Sequence, residues 1–80
     1  MLELFGSSGC PYTREMREWL EFSRREFVEF DGDADADAFI RMCEASRQRT
    51  VPVLIENGKV LQIGWQGRGC VVSAGQTRHA

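Results

Sequence analysis

Apolar positions change period once within the first twenty-two residues. Leu2, Leu4 and Phe5 make a short apolar stretch closed by Gly6-Ser7-Ser8-Gly9; from Pro11 onward Tyr12, Met16, Trp19 and Leu20 recur at three- and four-residue spacing. The first stretch reads as a strand over Leu2–Phe5 and the second as a helix from Pro11 to about Phe22, with Pro11 in a first turn that needs no N–H from it. Arg24 to Phe30 alternates, which predicts a second strand with Phe27 turned inward. After the turn Asp31-Gly32-Asp33, either Asp33 or Asp35 can cap a second helix, whose apolar positions Ala36, Phe39, Ile40 and Cys43 repeat at three and four and end near Ser46. Val51–Ile55 and Lys59–Ile63 are apolar runs joined by Asn57-Gly58, a strong hairpin signal.

The predicted order is strand, helix, strand, helix, hairpin. A βαβ unit brings its strands parallel through a right-handed crossover, and a hairpin adds antiparallel ones. An α/β fold with a four-stranded mixed sheet follows, as one domain over residues 1–72 with a loose polar tail over residues 73–80.

Composition narrows the setting. Eighty residues form one small domain, which buries only about 60% of its unfolded surface. Three cysteines, Cys10, Cys43 and Cys70, are too few and too odd in number for a disulfide scaffold. The opening Met1-Leu2-Glu3-Leu4-Phe5 has no basic region and no secretory pattern, and the apolar runs are too short to span a membrane, so a cytoplasmic, reduced, monomeric protein is expected. A net charge of −2 provides no basic footprint for nucleic acid. The cysteines and His79 do not make a zinc spacing, and no resident cofactor is expected.

Cys10 carries the chemistry. A glycine-bearing turn leads off a strand, the cysteine follows, and Pro11 starts a helix, so that free N–H groups and the positive helix end converge on the sulfur. An ordinary thiol, pKa about 8.5, is only a few per cent thiolate at neutral pH, and this surrounding favours the thiolate. Arg14, one turn on, is poorly placed for the helix dipole, which points it to the thiolate or an anionic ligand.

Cys10-Pro11-Tyr12-Thr13 resembles the glutaredoxin active site, commonly Cys-Pro-Tyr-Cys. Thr50-Val51-Pro52 resembles the Thr-Val-Pro segment of that family, Val53 to Lys59 its last two strands, and Ile63-Gly64 the opening of its glycine motif. More narrowly, Gly64 to Cys70 with a Cys-x-x-Thr site resembles the glutaredoxin-like UXX-star group, in which the attacking residue is cysteine or selenocysteine. The resemblance implies a thioredoxin fold and a cis peptide before Pro52. It also implies a free Val51 backbone beside Cys10, on which a peptide-like substrate pairs as an added strand. It makes Pro11, Tyr12, Arg49, Thr50, Val51, Pro52, Gly64 and Trp65 the substrate- or glutathione-binding set, with glutathione as co-substrate.

Four departures shape the expectation. Thr13 stands at the second cysteine: its hydroxyl can hydrogen-bond the Cys10 thiolate but cannot resolve a mixed disulfide. Glutathione, another external thiol or a cysteine elsewhere must do that, and Cys70, after the glycine-rich segment, is the candidate, while Cys43 falls on the core stripe. Trp65 replaces the family's second glycine, either as a stacking platform or as a cap on the core, and Arg68 stands near its aspartate, where it repels an ammonium. The last helix of the family is expected to be short or absent. The implied activity is thiol–disulfide exchange through a single Cys10 thiolate, on glutathione or a disulfide-containing protein. The alternative is a module of the single-cysteine glutaredoxin type that binds an iron–sulfur cluster with glutathione.

Overall fold

In the computed structural model, which describes residues 1–72, a single strand organises the rest. β1 (Leu2–Gly6) pairs in parallel with β2 (Phe27–Asp31) and antiparallel with β4 (Val53–Glu56), which pairs antiparallel with β5 (Lys59–Ile63). The order β2-β1-β4-β5 makes the expected four-stranded mixed sheet, with α1 (Pro11–Phe22) and α2 (Ala36–Ser46) as its helices. Asn57 and Gly58 both take positive φ in the β4–β5 turn, as the hairpin signal requires. The proposed tail, residues 73–80, lies outside the described residues. No described helix is long and apolar enough to cross a membrane.

The sheet separates two apolar clusters because alternate strand residues face opposite sides. Leu2, Leu4 and Leu54 pack with Met16 and Leu20 of α1; Phe5, Val53 and Ile55 pack with Ala38, Phe39 and Met42 of α2. Ion pairs pin each helix to the sheet: Arg17 reaches Glu29 in a bidentate contact at 2.7 and 2.8 Å, and Arg41 reaches Glu3 at 2.8 Å while lying over the Phe5 and Phe30 rings.

Several expectations are corrected. The second strand starts at Phe27 rather than Arg24, because Arg24 sits at φ 59° and the Arg24 and Arg25 amides donate back to Glu21 and Leu20, closing α1. Asp35, not Asp33, caps α2, accepting the Ala38 N–H at 3.1 Å. The buried stripe of α2 is Ala38, Phe39, Met42 and Ser46, so Ile40 is half exposed and Cys43 only partly covered. Trp19, expected inside, is 42% exposed at the edge of its helix face. The run Val51–Ile55 is not one strand: the Val51–Pro52 peptide is cis, as the resemblance implied, and separates β3 (Thr50–Val51) from β4. β3 pairs antiparallel with an unexpected β6 (Cys70–Val71) in a small second sheet. Among the described residues no helix follows α2.

The turned face of α2 is directly testable. Met42→Ala, at a fully buried position, is expected to cost about 2–5 kcal/mol of unfolding free energy. Ile40→Ala, at a half-exposed one, should stay near 0.5 kcal/mol or below, an approximate bound for such sites. Urea denaturation of both variants checks this, and equal losses would contradict the observed helix face.

Candidate functional site

The loop between β1 and α1 is organised from Gly6 outward. A Cβ at Gly6 would collide with Thr13 Cγ2 and stand 2.7 Å from its Oγ1, so glycine is what lets Thr13 seat against the strand end. Thr13 is 1% exposed there, and its hydroxyl oxygen accepts the Ser7 N–H at 3.3 Å. The Ser7 hydroxyl donates to Asp33 Oδ2 and accepts the Gly9 N–H at 3.4 Å, while the Ser7 carbonyl accepts the Cys10 N–H at 3.1 Å. Cys10 is thereby held extended (φ −97°, ψ 116°) as the residue before the helix, and its carbonyl accepts the Thr13 and Arg14 N–H groups at 3.1 and 3.4 Å.

Cys10 is 3% exposed. Burial pushes its pKa up, but a hydrogen bond from the Cys70 thiol, the Thr13 N–H and hydroxyl and the Tyr12 N–H push it down, and the net is below the ordinary thiol value. In the protonated form Cys10 can donate to the Val51 carbonyl, 3.9 Å away. Cys70 moves the opposite way, to about 11: its proton is held by the hydrogen bond to Cys10, then by burial and by the Cys10 charge. All three cysteines are free thiols.

Cys70 arrives by a route that the glycine pattern of the sequence did not disclose. Gln66 and Gly67, both at positive φ, form a tight turn in which Trp65 N–H donates to Arg68 O at 2.6 Å and Arg68 N–H to Trp65 O at 2.9 Å. Gly64, at φ 82°, passes so close to Arg68 that a Cβ would lie 2.7 Å from its carbonyl oxygen. The turn sends the chain back along β3, with Val51 opposite Cys70 and Thr50 opposite Val71, and Val72 N–H donating to Arg49 O at 3.0 Å. Gly69 permits this approach, since a Cβ there would stand 2.6 Å from both Thr50 Cγ2 and the Val51 oxygen. The free Val51 edge expected from the sequence is therefore corrected: the chain's own β6 occupies it.

The remaining site candidates scatter. Pro11 lines an open cleft of about 230 Å³ beside Cys10 with Ser8, Gly9 and Arg14, and Tyr12 packs on the cluster that contains Cys10. Thr50 and Pro52 flank Val51 in the cis segment. Arg49 does not line that cleft; its exposed side chain acts on Cys43, whose pKa burial raises and the Arg49 charge partly lowers. The Gly64 N–H donates to the Pro52 carbonyl at 2.7 Å. Of the two readings of Trp65, the cap applies: it packs on the Leu2–Leu20 cluster and tilts against Trp19 at 5.9 Å, its indole N–H without a partner among the described residues. Arg14, singled out by its misfit with the helix dipole, is the cation at the cleft. Ser7 and Gly6 were missed, and only their place in the turn before Cys10 signalled them.

A model of the glutaredoxin family matches residues 2–61. Among solved structures, the thioredoxin-like protein BC3987 has a TM-score of 0.75 and 26% identity over 82% of this chain and 89% of that one. A point mutant of the same protein matches with the same score over 88% of its length. A wheat glutaredoxin has a TM-score of 0.65 and 26% identity over 79% of this chain and 60% of its own. No curated protein matches the chain.

The hydrogen bonds on Cys10 fix a pH dependence. Its alkylation rate by iodoacetamide should inflect below the ordinary thiol value, since the folded state favours the ionised form. Stability from this group is present above the unfolded-state pKa and lost as pH falls through the folded one. Thr13→Val removes one donor and should move the inflection upward; an unmoved inflection would show that the hydroxyl does not act on the sulfur.

Proposed function

We propose, from the premise that the chain belongs to the glutaredoxin family, that it reduces disulfides through a Cys10 thiolate that forms a mixed disulfide with its substrate. A glutaredoxin-like redox protein is what family and fold establish. The finer reading rests on one observation: a nearly buried thiol at the start of α1 whose surrounding donors lower its pKa despite burial.

The chemistry follows from the geometry. The thiolate attacks one sulfur of R–S–S–R′; the Cys10–sulfur bond forms, the S–S bond breaks, and R′S⁻ leaves and takes a proton from water. A thiolate of glutathione type can then attack the R sulfur, freeing Cys10 and forming a new disulfide. Thr13, Tyr12 and the helix start stabilise sulfur charge at the beginning and the end of this cycle. The cleft is smaller than the roughly 300–1,000 Å³ of a whole-ligand pocket, which suits access to one sulfur and its neighbouring atoms. Arg14 at its rim can meet a carboxylate of a glutathione-like ligand. The cluster-binding reading is weaker, because Cys10 is 3% exposed beside the Val51 carbonyl, which leaves little surface for a cluster held between two subunits.

The test is turnover of a glutathione mixed disulfide, coupled in one arm to glutathione and in another to thioredoxin reductase. Cys10→Ser should lose roughly 100-fold or more of the rate, and Arg14→Ala should raise KM in the glutathione arm more than it lowers kcat. No turnover by the unmutated protein in either arm would refute the oxidoreductase reading.

A further inference from the structure

We propose that β6 is an intramolecular substrate strand: it fills the backbone edge beside Cys10 and presents Cys70 as the thiol that closes a Cys10–Cys70 disulfide and expels the bound partner. This rests on the thiol–disulfide reading above and identifies what completes its cycle. The segment lies beyond residues 2–61, the part of the chain that the family model matches.

Three independent features place Cys70 there. The β3–β6 register sets Cys70 opposite Val51, the residue whose carbonyl lies 3.9 Å from Cys10 Sγ. The turn at Gln66-Gly67 and the bare Cα of Gly69 are specific to bringing the two backbones together; a side chain at residue 69 would meet β3. Cys70 also packs on the same apolar cluster as Cys10, and the two thiols shift each other's ionisation, Cys10 downward and Cys70 upward. Cys43, the other thiol, packs on the same cluster from α2 beside the Arg49 charge, but it neither lies opposite Val51 nor acts on the Cys10 thiol. The arrangement is that of a peptide substrate added antiparallel to a sheet edge, with its sulfur delivered to the nucleophile. Here strand and enzyme are one chain. The strand is two residues long and Val71 is 76% exposed, so its hold on β3 is slight enough to let Cys70 move toward a sulfur.

The step balances. With Cys10 in a mixed disulfide to R, Cys70 loses its proton to water and its thiolate attacks Cys10 Sγ. The Cys10–SR bond breaks, RS⁻ leaves and is protonated, and the Cys10–Cys70 bond forms. The substrate disulfide has gained two electrons and the two protein thiols have lost them; a dithiol, or two monothiols of the glutathione class, returns them.

The experiment uses the full chain carrying Cys43→Ser and a single equivalent of dithiobis(nitrobenzoate), whose released thiolate is coloured. The expected result is release of both aromatic thiolates from each reagent molecule, leaving the chain two hydrogens lighter and without adduct. With Cys70→Ser added, only the first should leave, and the adduct should stay on Cys10. Gly69→Ala keeps both thiols and displaces the strand, so the first release should persist while the second slows about tenfold or more, as expected for a misplaced reacting group. A persistent adduct in the chain that retains Cys70, with Cys70 still open to alkylation, would overturn the proposal and leave the Cys10 reading intact. Absence of even the first release would overturn both.

Discussion

Burial of the Cys10 sulfur opposes its ionisation, and most of the site is built around that conflict. A thiolate withdrawn from water needs donors to replace the solvent it loses. The chain supplies two from the first turn of α1, the Tyr12 and Thr13 amides, one from the Thr13 hydroxyl and one from Cys70. Each depends on something further away. Thr13 reaches the sulfur because Gly6 has no side chain and because the Ser7 amide fixes the hydroxyl. Ser7 is held in turn by Asp33, so the entry to α2 stabilises the entry to α1. Cys70 reaches the sulfur only because β6 lies on β3.

The same strand changes what the fold can accept. A thioredoxin-like sheet with an open Val51 edge invites an extended peptide. In this chain the edge is taken by Cys70–Val71, so a peptide must displace β6 before it can pair there, while the cleft at Ser8, Gly9, Pro11 and Arg14 stays open. On the α1 side of the sheet Trp65 lies against Trp19, and the turn that carries Trp65 is the one that returns β6. Closing the core and delivering Cys70 are two results of one tight turn.

Local signals in the sequence were strong enough for β1, α1, the β4–β5 hairpin and Cys10. A proline after a cysteine, an Asn-Gly pair and a run of apolar residues each act within a few positions. The face of α2 was not decided locally. Ala36, Phe39, Ile40 and Cys43 recur at helical intervals, and so do Ala38, Phe39, Met42 and Ser46, so both stripes suit a helix. The contacts of Arg41 with Glu3, Phe5 and Phe30 select the second, and those lie outside the helix. β6 was the least legible element. Two residues carry no periodicity, and its pairing with β3 spans about twenty positions of sequence. The glycines around it suggested a ligand loop, whereas Gly64 and Gly67 serve a turn and Gly69 a close strand contact.

The two thiols also set the order of events. The two thiols differ in how readily they ionise: the Cys10 pKa is lowered, while Cys70 is raised to about 11, so Cys10 loses its proton first and Cys70 keeps its own. Two of the three influences that raise Cys70, the hydrogen bond and the charge, come from Cys10 itself. Once Cys10 has attacked a disulfide it carries no charge and is a poorer acceptor, so both influences go and only burial remains. Cys70 is then easier to ionise at the moment when a nucleophile is needed. Before that moment it is held protonated and cannot compete for substrate. A hydroxyl at the second position of the motif could stabilise the first thiolate but could not take this second part. A cysteine brought in on a separate strand does both, and its reactivity is switched by the state of the residue that it serves.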